Sequence, residues 1–396
     1  MTQDAFLRTA VRLTLIYAAA FCGAVLYVTA TTQGLVISET GVVGGDFLAF
    51  YTAGDFARSG DALAAYNFET FDAKLKELAP LEQLGMMWQY PPTMFFMTAP
   101  FAYLPYKISY VLWCAGGWAA LLLALRALDF RASAFWLLGF SVVCVNVVDN
   151  GQISMATAAL LFLSVYDPKR RWLVAGIAAG LLTIKPQLGL LLPVAFAAAG
   201  AWRAIAAAAL TALILHAPSL LIFGVDGWRD FFAAVARLNA DVVGPGLHTP
   251  PTGMTTLFGQ LRMWGAPSSL AVGAQYVLAL AVMAVVAVVW RRPGDRLGKA
   301  ALVWSGAIIA APYAYAYEMT ALLLSGAYLA RSATTLASPH MALVVAASLC
   351  LMLKPFAGGV FGLQWPFLIS ALAFGFTLAQ LLRPAAAPAG LAARAA

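Results

Sequence analysis

The chain has 396 residues, of which 62% are hydrophobic and only 10% charged. Soluble domains carry about 25% charged residues, so this composition excludes a water-soluble globule, a disordered chain, a secreted disulfide scaffold and a cytosolic enzyme. The net charge of +7 does not indicate a nucleic-acid partner, because the 24 Lys and Arg form no basic stripe with interleaved aromatics.

The predicted elements begin with a retained first span. Arg8 and Arg12 precede an apolar run over 13–30 that exceeds the core of a cleaved signal peptide. Further apolar runs occur at 106–125, 132–148, 152–167, 172–184, 186–201, 204–223, 268–290, 300–312, 317–330, 340–354 and 365–382. These predict an all-α polytopic membrane protein of about twelve transmembrane helices (range about 10–13), folded as one domain over 1–396. With the N-terminus in the cytoplasm, alternation places every basic cluster on that side: Arg126/Arg131, Lys169 to Arg171, Arg203, Arg291 to Lys299, Arg331 and the tail 384–396 after Arg383. The acids gather on the opposite face, where the two long segments 31–105 and 224–267 also lie. Long connections in a compact protein are usually functional, so the working surface is expected outside.

Within the first outer segment, residues 61–78 place Phe68, Phe71, Leu75 and Leu78 on one helical face, the pattern of a helix lying in the membrane interface. The proline-bounded stretch 90–105 reads as re-entrant or as a half-helix. Runs 172–184 and 300–312 are too short to cross a core of about 30 Å. Each gives way to polar or ionisable residues, Lys185-Pro186-Gln187 in one case and Tyr313, Tyr315, Tyr317 and Glu318 in the other. Irregular backbone at that depth must line a cavity or pack in protein, which predicts a cavity in the outer leaflet. The cysteines Cys22, Cys114, Cys144 and Cys350 lie in apolar runs and read as small buried hydrophobes.

Several residues could carry chemistry. Asp46, in Gly44-Gly45-Asp46-Phe47, is a candidate general base or a helix-capping aspartate. Asp149-Asn150-Gly151-Gln152 has turn composition, and its Asn150 and Gln152 are candidates for hydrogen bonds to sugar hydroxyls. Lys185 is the most expensive residue, since an ammonium at membrane depth costs about 2.5–3.5 kcal/mol; it is either a phosphate ligand or a snorkelling side chain. Lys354 obeys the same logic. His248 stands in a Gly/Pro-punctuated loop as a surface residue or a ligand to phosphate or sugar, and three scattered histidines provide no zinc set. Glu318, beside Tyr313, belongs to an aromatic belt or to a sugar site. GxGxxG, P-loop, GxSxG and HExxH signatures are absent.

The run Asp46-Phe47-x-x-x-Tyr51-x-Ala53-Gly54 with Gly60 and Tyr66, then Tyr90-Pro91-Pro92 leading to Pro100 and Pro105, then Gly151-Gln152 and Lys185-Pro186, resembles glycosyltransferase family 87 over about residues 40–200. The resemblance implies a GT-C-like fold with a long first outer loop, a polyprenyl-phosphate sugar donor, most often of mannose, and inverting transfer to a glycolipid or glycan acceptor. It makes Asp46 the base and Tyr51 a substrate-site residue. Lys185, with His248, Arg262 or Lys354, would stabilise the departing phosphate. It calls for no cofactor and leaves a divalent metal open. The enzyme would sit in a bacterial inner membrane with its site on the periplasmic face. The stretch Thr252 to Leu257 lacks the Asn of the family's Asn-Gln-Ser-type motif. The competing expectation is a transporter or flippase of a lipid-linked anion, which would also use intramembrane Lys and Glu.

Overall fold

A computed structural model describes residues 3–39, 41–81, 84–128, 132–243, 253–331 and 361–383. The described residues are mostly helical, with one small antiparallel pair among them, β1 (Val36–Ser38) and β2 (Gly41–Val42), after the first helix. Among the described residues five helices are long and apolar enough to cross a membrane. They lie in α1 (Gln3–Thr31), α5 (Tyr106–Ala127), α11 (Trp202–Val243), α13 (Ser268–Arg291) and α16 (Trp365–Leu382).

The other apolar runs among the described residues form shorter helices, so five of the twelve expected spans have the length of a full crossing. Run 132–148 divides into α6 (Ala132–Gly139) and α7 (Val142–Asn150), interrupted at Phe140-Ser141. Runs 152–167, 172–184 and 186–201 give α8 (Ser154–Val165), α9 (Trp172–Leu181) and α10 (Leu192–Ala199), with 3-10 turns on either side of Lys185. Later in the chain come α14 (Arg296–Ala310), a 3-10 turn over Ala316–Leu322 and α15 (Leu323–Arg331). Run 340–354 lies outside the described residues.

Residues with no side chain set the tightest helix contact. On α9, Gly176 and Gly180 occur four apart, facing α11. A Cβ on Gly176 would stand 2.4 Å from the Ala207 Cβ, and one on Gly180 2.5 Å from the Thr211 Cβ. Such spacing of small residues allows two backbones to meet where lipid offers no hydrophobic drive. Further along, α11 breaks at Gly224 (φ 67°, ψ −175°), beyond Pro218. The break falls where the apolar run 204–223 ends, so the second half of α11 belongs to the segment 224–267.

The segment 31–105 is built on α2 (Phe47–Arg58). The expected amphipathic helix is present as α3 (Phe68–Leu78), capped by the Asn67 side chain accepting from the Thr70 N–H at 2.9 Å. On its apolar face Phe71 and Leu75 are fully buried, with Phe71 stacking on Phe56 of α2, while Phe68 and Leu78 are half-buried. Residues 90–105 form only α4 (Met94–Thr98) and a 3-10 turn after it, packed on α2 where Gly54 leaves room for the Thr98 carbonyl.

Candidate active site

Two glycine turns bring Asp46 to its place. Gly44 and Gly45 have positive φ (78° and 49°), and so does Gly151 (61°), which ends α7. At the crossing the backbones touch: a Cβ on Gly151 would lie 2.0 Å from the Gly44 carbonyl oxygen, and one on Gly45 3.1 Å from that of Asn150. Only glycine fits such an approach. The Asp46 N–H then donates to the Asn150 carbonyl at 2.9 Å.

One face of α5 fixes this crossing from behind. Tyr106 Oη donates to the Val43 carbonyl (2.6 Å), Tyr110 Oη to Val148 (2.7 Å) and Trp113 Nε1 to Gly151 (3.1 Å). Positions 106, 110 and 113 share a helical stripe, so a single helix clamps both turns. The result is that Gln152 Nε2 donates to Asp46 Oδ2 at 2.5 Å. The Asp46 carboxyl is held above the usual carboxylate range, first by burial, while the Gln152 amide and the Lys185 ammonium pull it back down. Asp46 heads α2 without a side-chain capping bond, so the capping alternative is not realised. The other atom of the amide, Gln152 Oε1, is buried and has no partner.

Lys185 stands between two 3-10 turns, after α9 has stopped short. Its Nζ forms a buried ion pair with Glu318 Oε1, and the rings of Tyr317 and Tyr90 flank it at 5.4 and 5.9 Å. Glu318 is brought there by a stretch in which Tyr315 bridges Met254, the Thr255 N–H donates to the Ala314 carbonyl (2.8 Å) and the Ala316 N–H donates to that of Gly253 (2.9 Å). This stretch leaves the end of α14, whose last carbonyls would otherwise be orphaned. Gln275 of α13 meets them: its Nε2 donates to Ile309 and Ala311, each at 2.8 Å.

Asp46, Asn150, Gln152, Lys185, Tyr313 and Glu318 line one cavity of about 1170 Å³. Two other expected site residues stand elsewhere. Tyr51 packs on Phe47 and Tyr106 and its hydroxyl donates to the Leu104 carbonyl (3.0 Å). Arg262, on α12 (Leu257–Met263), turns back to the Ala266 carbonyl (2.8 Å) and does not line the cavity. His248 and Lys354 lie outside the described residues. The cavity also includes residues that sequence reasoning did not nominate, among them Tyr90, Gln89, Asn239 and Gln275. Gln89 Oε1 is buried there without a partner. Tyr90 had a signal in Tyr90-Pro91-Pro92; the glutamines and Asn239 had none.

The family model of glycosyltransferase family 87 matches residues 88–312, more than half of the chain. The chain belongs to glycosyltransferase family 87. No curated protein and no solved structure matches it. The protein is therefore a membrane glycosyltransferase, and the transporter reading has no support. In this family 87 enzyme the matched stretch lies later in the chain than the 40–200 resemblance, beginning after Asp46 and ending before Glu318. Both carboxylates are thus tied to the matched region by their contacts with Gln152 and Lys185.

Proposed function

We propose that the enzyme moves a hexose, mannose being favoured by the resemblance, from a polyprenyl-phosphate sugar to a glycan or glycolipid acceptor with inversion at the anomeric carbon. One observation supports it most: an amide-oriented carboxylate (Asp46) and a buried ammonium (Lys185) face the same cavity. Asp46 takes the proton of the attacking acceptor hydroxyl, and its raised pKa suits it to do so near neutral pH. The hydroxyl oxygen bonds to the anomeric carbon as the bond to the phosphate oxygen breaks. Lys185 stabilises the charge on that leaving oxygen. Gln152 and Gln89, which line the cavity and each carry an unpartnered amide oxygen, receive sugar hydroxyls.

Size and surroundings favour the same reading. Small-molecule sites span about 300–1,000 Å³, so about 1170 Å³ holds a donor head group and an acceptor sugar together. An apolar groove of about 320 Å³, lined by Leu181, Ile214 and Pro218 among others, starts one turn before Lys185 on α9 and suits the isoprenoid chain. The site faces the periplasm and both termini face the cytoplasm, on the charge distribution of the turns. The deciding experiment incubates the purified enzyme with a panel of lipid-linked sugars and tracks products by mass spectrometry. Transfer from a polyprenyl monophosphate sugar, lost in Asp46→Asn, is the expected result; transfer only from a nucleotide sugar refutes it.

A further inference from the structure

Lys185 is already neutralised. Among the described cavity residues the charged side chains are Asp46, Lys185 and Glu318, and Glu318 is the acid in contact with the ammonium. Both members of that pair are almost fully buried, at 6% exposure for Lys185 and 3% for Glu318. With the two carboxylates ionised the wall carries one net negative charge. Adding the phosphodiester of the donor would raise this to two, next to an ammonium whose attraction is divided between two anions. In a site of low dielectric constant that is strongly unfavourable.

We propose that Glu318 takes up a proton when the donor binds, releasing Lys185 from the carboxylate to the phosphodiester. This inference rests on the transferase reading for the identity of the anion and adds to it a positioning residue with a defined exchange. Before binding, Lys185 pairs with the Glu318 carboxylate. Afterwards it pairs with the phosphodiester, Glu318 is a neutral acid able to donate its O–H, and one proton has come from solvent. The net charge on the wall, donor included, stays at minus one throughout. The same pair explains how an ammonium is kept in place at this depth when no donor is present: Glu318 holds its Nζ between the Tyr90 and Tyr317 rings.

The surroundings of Glu318 narrow where the proton can go. Lys185 and Tyr90 face it from their own segments, Tyr317 from its own turn, and Asp46 stands on the same cavity wall. Of the helices packed against the turn, α8 and α16 contain no charged or titratable residue. Arg296 and Lys299 lie at the far end of α14, and Tyr328 and Arg331 in the distal half of α15. α7 carries Cys144 near its start and Asp149 at its end. Among the described residues lining the cavity, Asp46 is therefore the one competing carboxylate.

The test uses farnesyl methyl phosphodiester, which carries one fixed negative charge and no sugar, added to the full-length protein in detergent micelles. Calorimetry at about pH 7.5, in buffers of different ionisation heat, counts protons taken up per ligand bound. The expected result is about one proton, with Kd weakening about tenfold per pH unit above neutrality. Uptake persists in Asp46→Asn and in Glu318→Asp, and disappears in Glu318→Gln, whose Kd no longer changes with pH. Uptake below about half a proton in the native protein, or its loss in Asp46→Asn, overturns the proposal. If Glu318→Gln does not fold, the native protein and Asp46→Asn decide the matter alone. Because no sugar is transferred, failure here leaves the transferase reading intact, and absence of transfer elsewhere leaves this exchange intact.

Discussion

Asp46 combines its proposed role as base with a thermodynamic cost. Burial raises its carboxyl pKa, so folding favours the protonated form; the stability this gives at acid pH is lost as the pH rises through the folded value. Asp46→Asn is therefore expected to melt at a higher temperature than the native enzyme at pH 7, the difference closing toward pH 4, while transfer falls by about 10²–10⁴-fold. Thermal unfolding across pH, alongside product formation, measures both. Gln152→Leu removes the hydrogen bond that lowers this pKa, so the acidic limb of the kcat/KM profile should move to higher pH. The lysine behaves differently because of its partner. Lys185→Met leaves Glu318 buried and alone, a loss of about 3–5 kcal/mol in stability. Adding Glu318→Gln should restore most of the melting temperature but none of the donor use, a non-additivity that a double-mutant cycle reads directly. At this scale the sequence is informative: a lysine in an apolar run and an aspartate after a glycine pair stand out by their cost. Their partners are hidden, since nothing local links Lys185 to a glutamate 133 positions on or Asp46 to a glutamine 106 positions on.

Elements show how those long-range contacts are held. The turn Asp149 to Gln152 is legible from Asn and Gly as turn residues, but its function depends on a backbone contact with Gly44 that no sequence pattern announces. Gly151→Ala meets that carbonyl at 2.0 Å and occupies a positive φ, so it should separate Gln152 from Asp46. The expected outcome is at least a tenfold loss of kcat with a lowered melting temperature. Gly151→Ser should do no better, because any Cβ collides. Arg262 and Tyr51 show the reverse case: residue type and motif membership suggest ligands, whereas the structure gives each a hydrogen bond to a backbone carbonyl outside the cavity lining. The four-residue spacing of Gly176 and Gly180 is visible in the sequence but does not stand out among so many small residues. Ile214→Trp, filling the groove beside that contact, should raise the donor KM about tenfold with little change in kcat, which would mark the groove as the path of the lipid chain.

For the whole molecule, composition alone establishes membrane residence, while among the described residues five of the twelve apolar runs fall in helices with the length of a full crossing. Apolarity records what a segment is buried in, and a short helix enclosed by other helices is as apolar as one that crosses. α8 is apolar and has most of its residues buried by protein. Sidedness is testable apart from that count. With a single cysteine at Arg170 or at Lys76, an impermeant thiol reagent on intact cells should modify position 76 alone, and position 170 only after the membrane is opened. Labelling of position 170 in intact cells would invert the topology and place the cavity in the cytoplasm.

The ion pair between Lys185 and Glu318 also sets a timetable for biosynthesis. The ribosome must add 133 residues after the lysine before its counter-ion exists. At about 5–20 residues per second this interval is on the order of ten seconds. Throughout it, a positive charge awaits its partner inside a half-made bundle, in contact with the translocation machinery or with trapped water. Chains terminated prematurely between these two positions should therefore be recognised by membrane quality-control proteases much more readily than chains stopped shortly after Glu318.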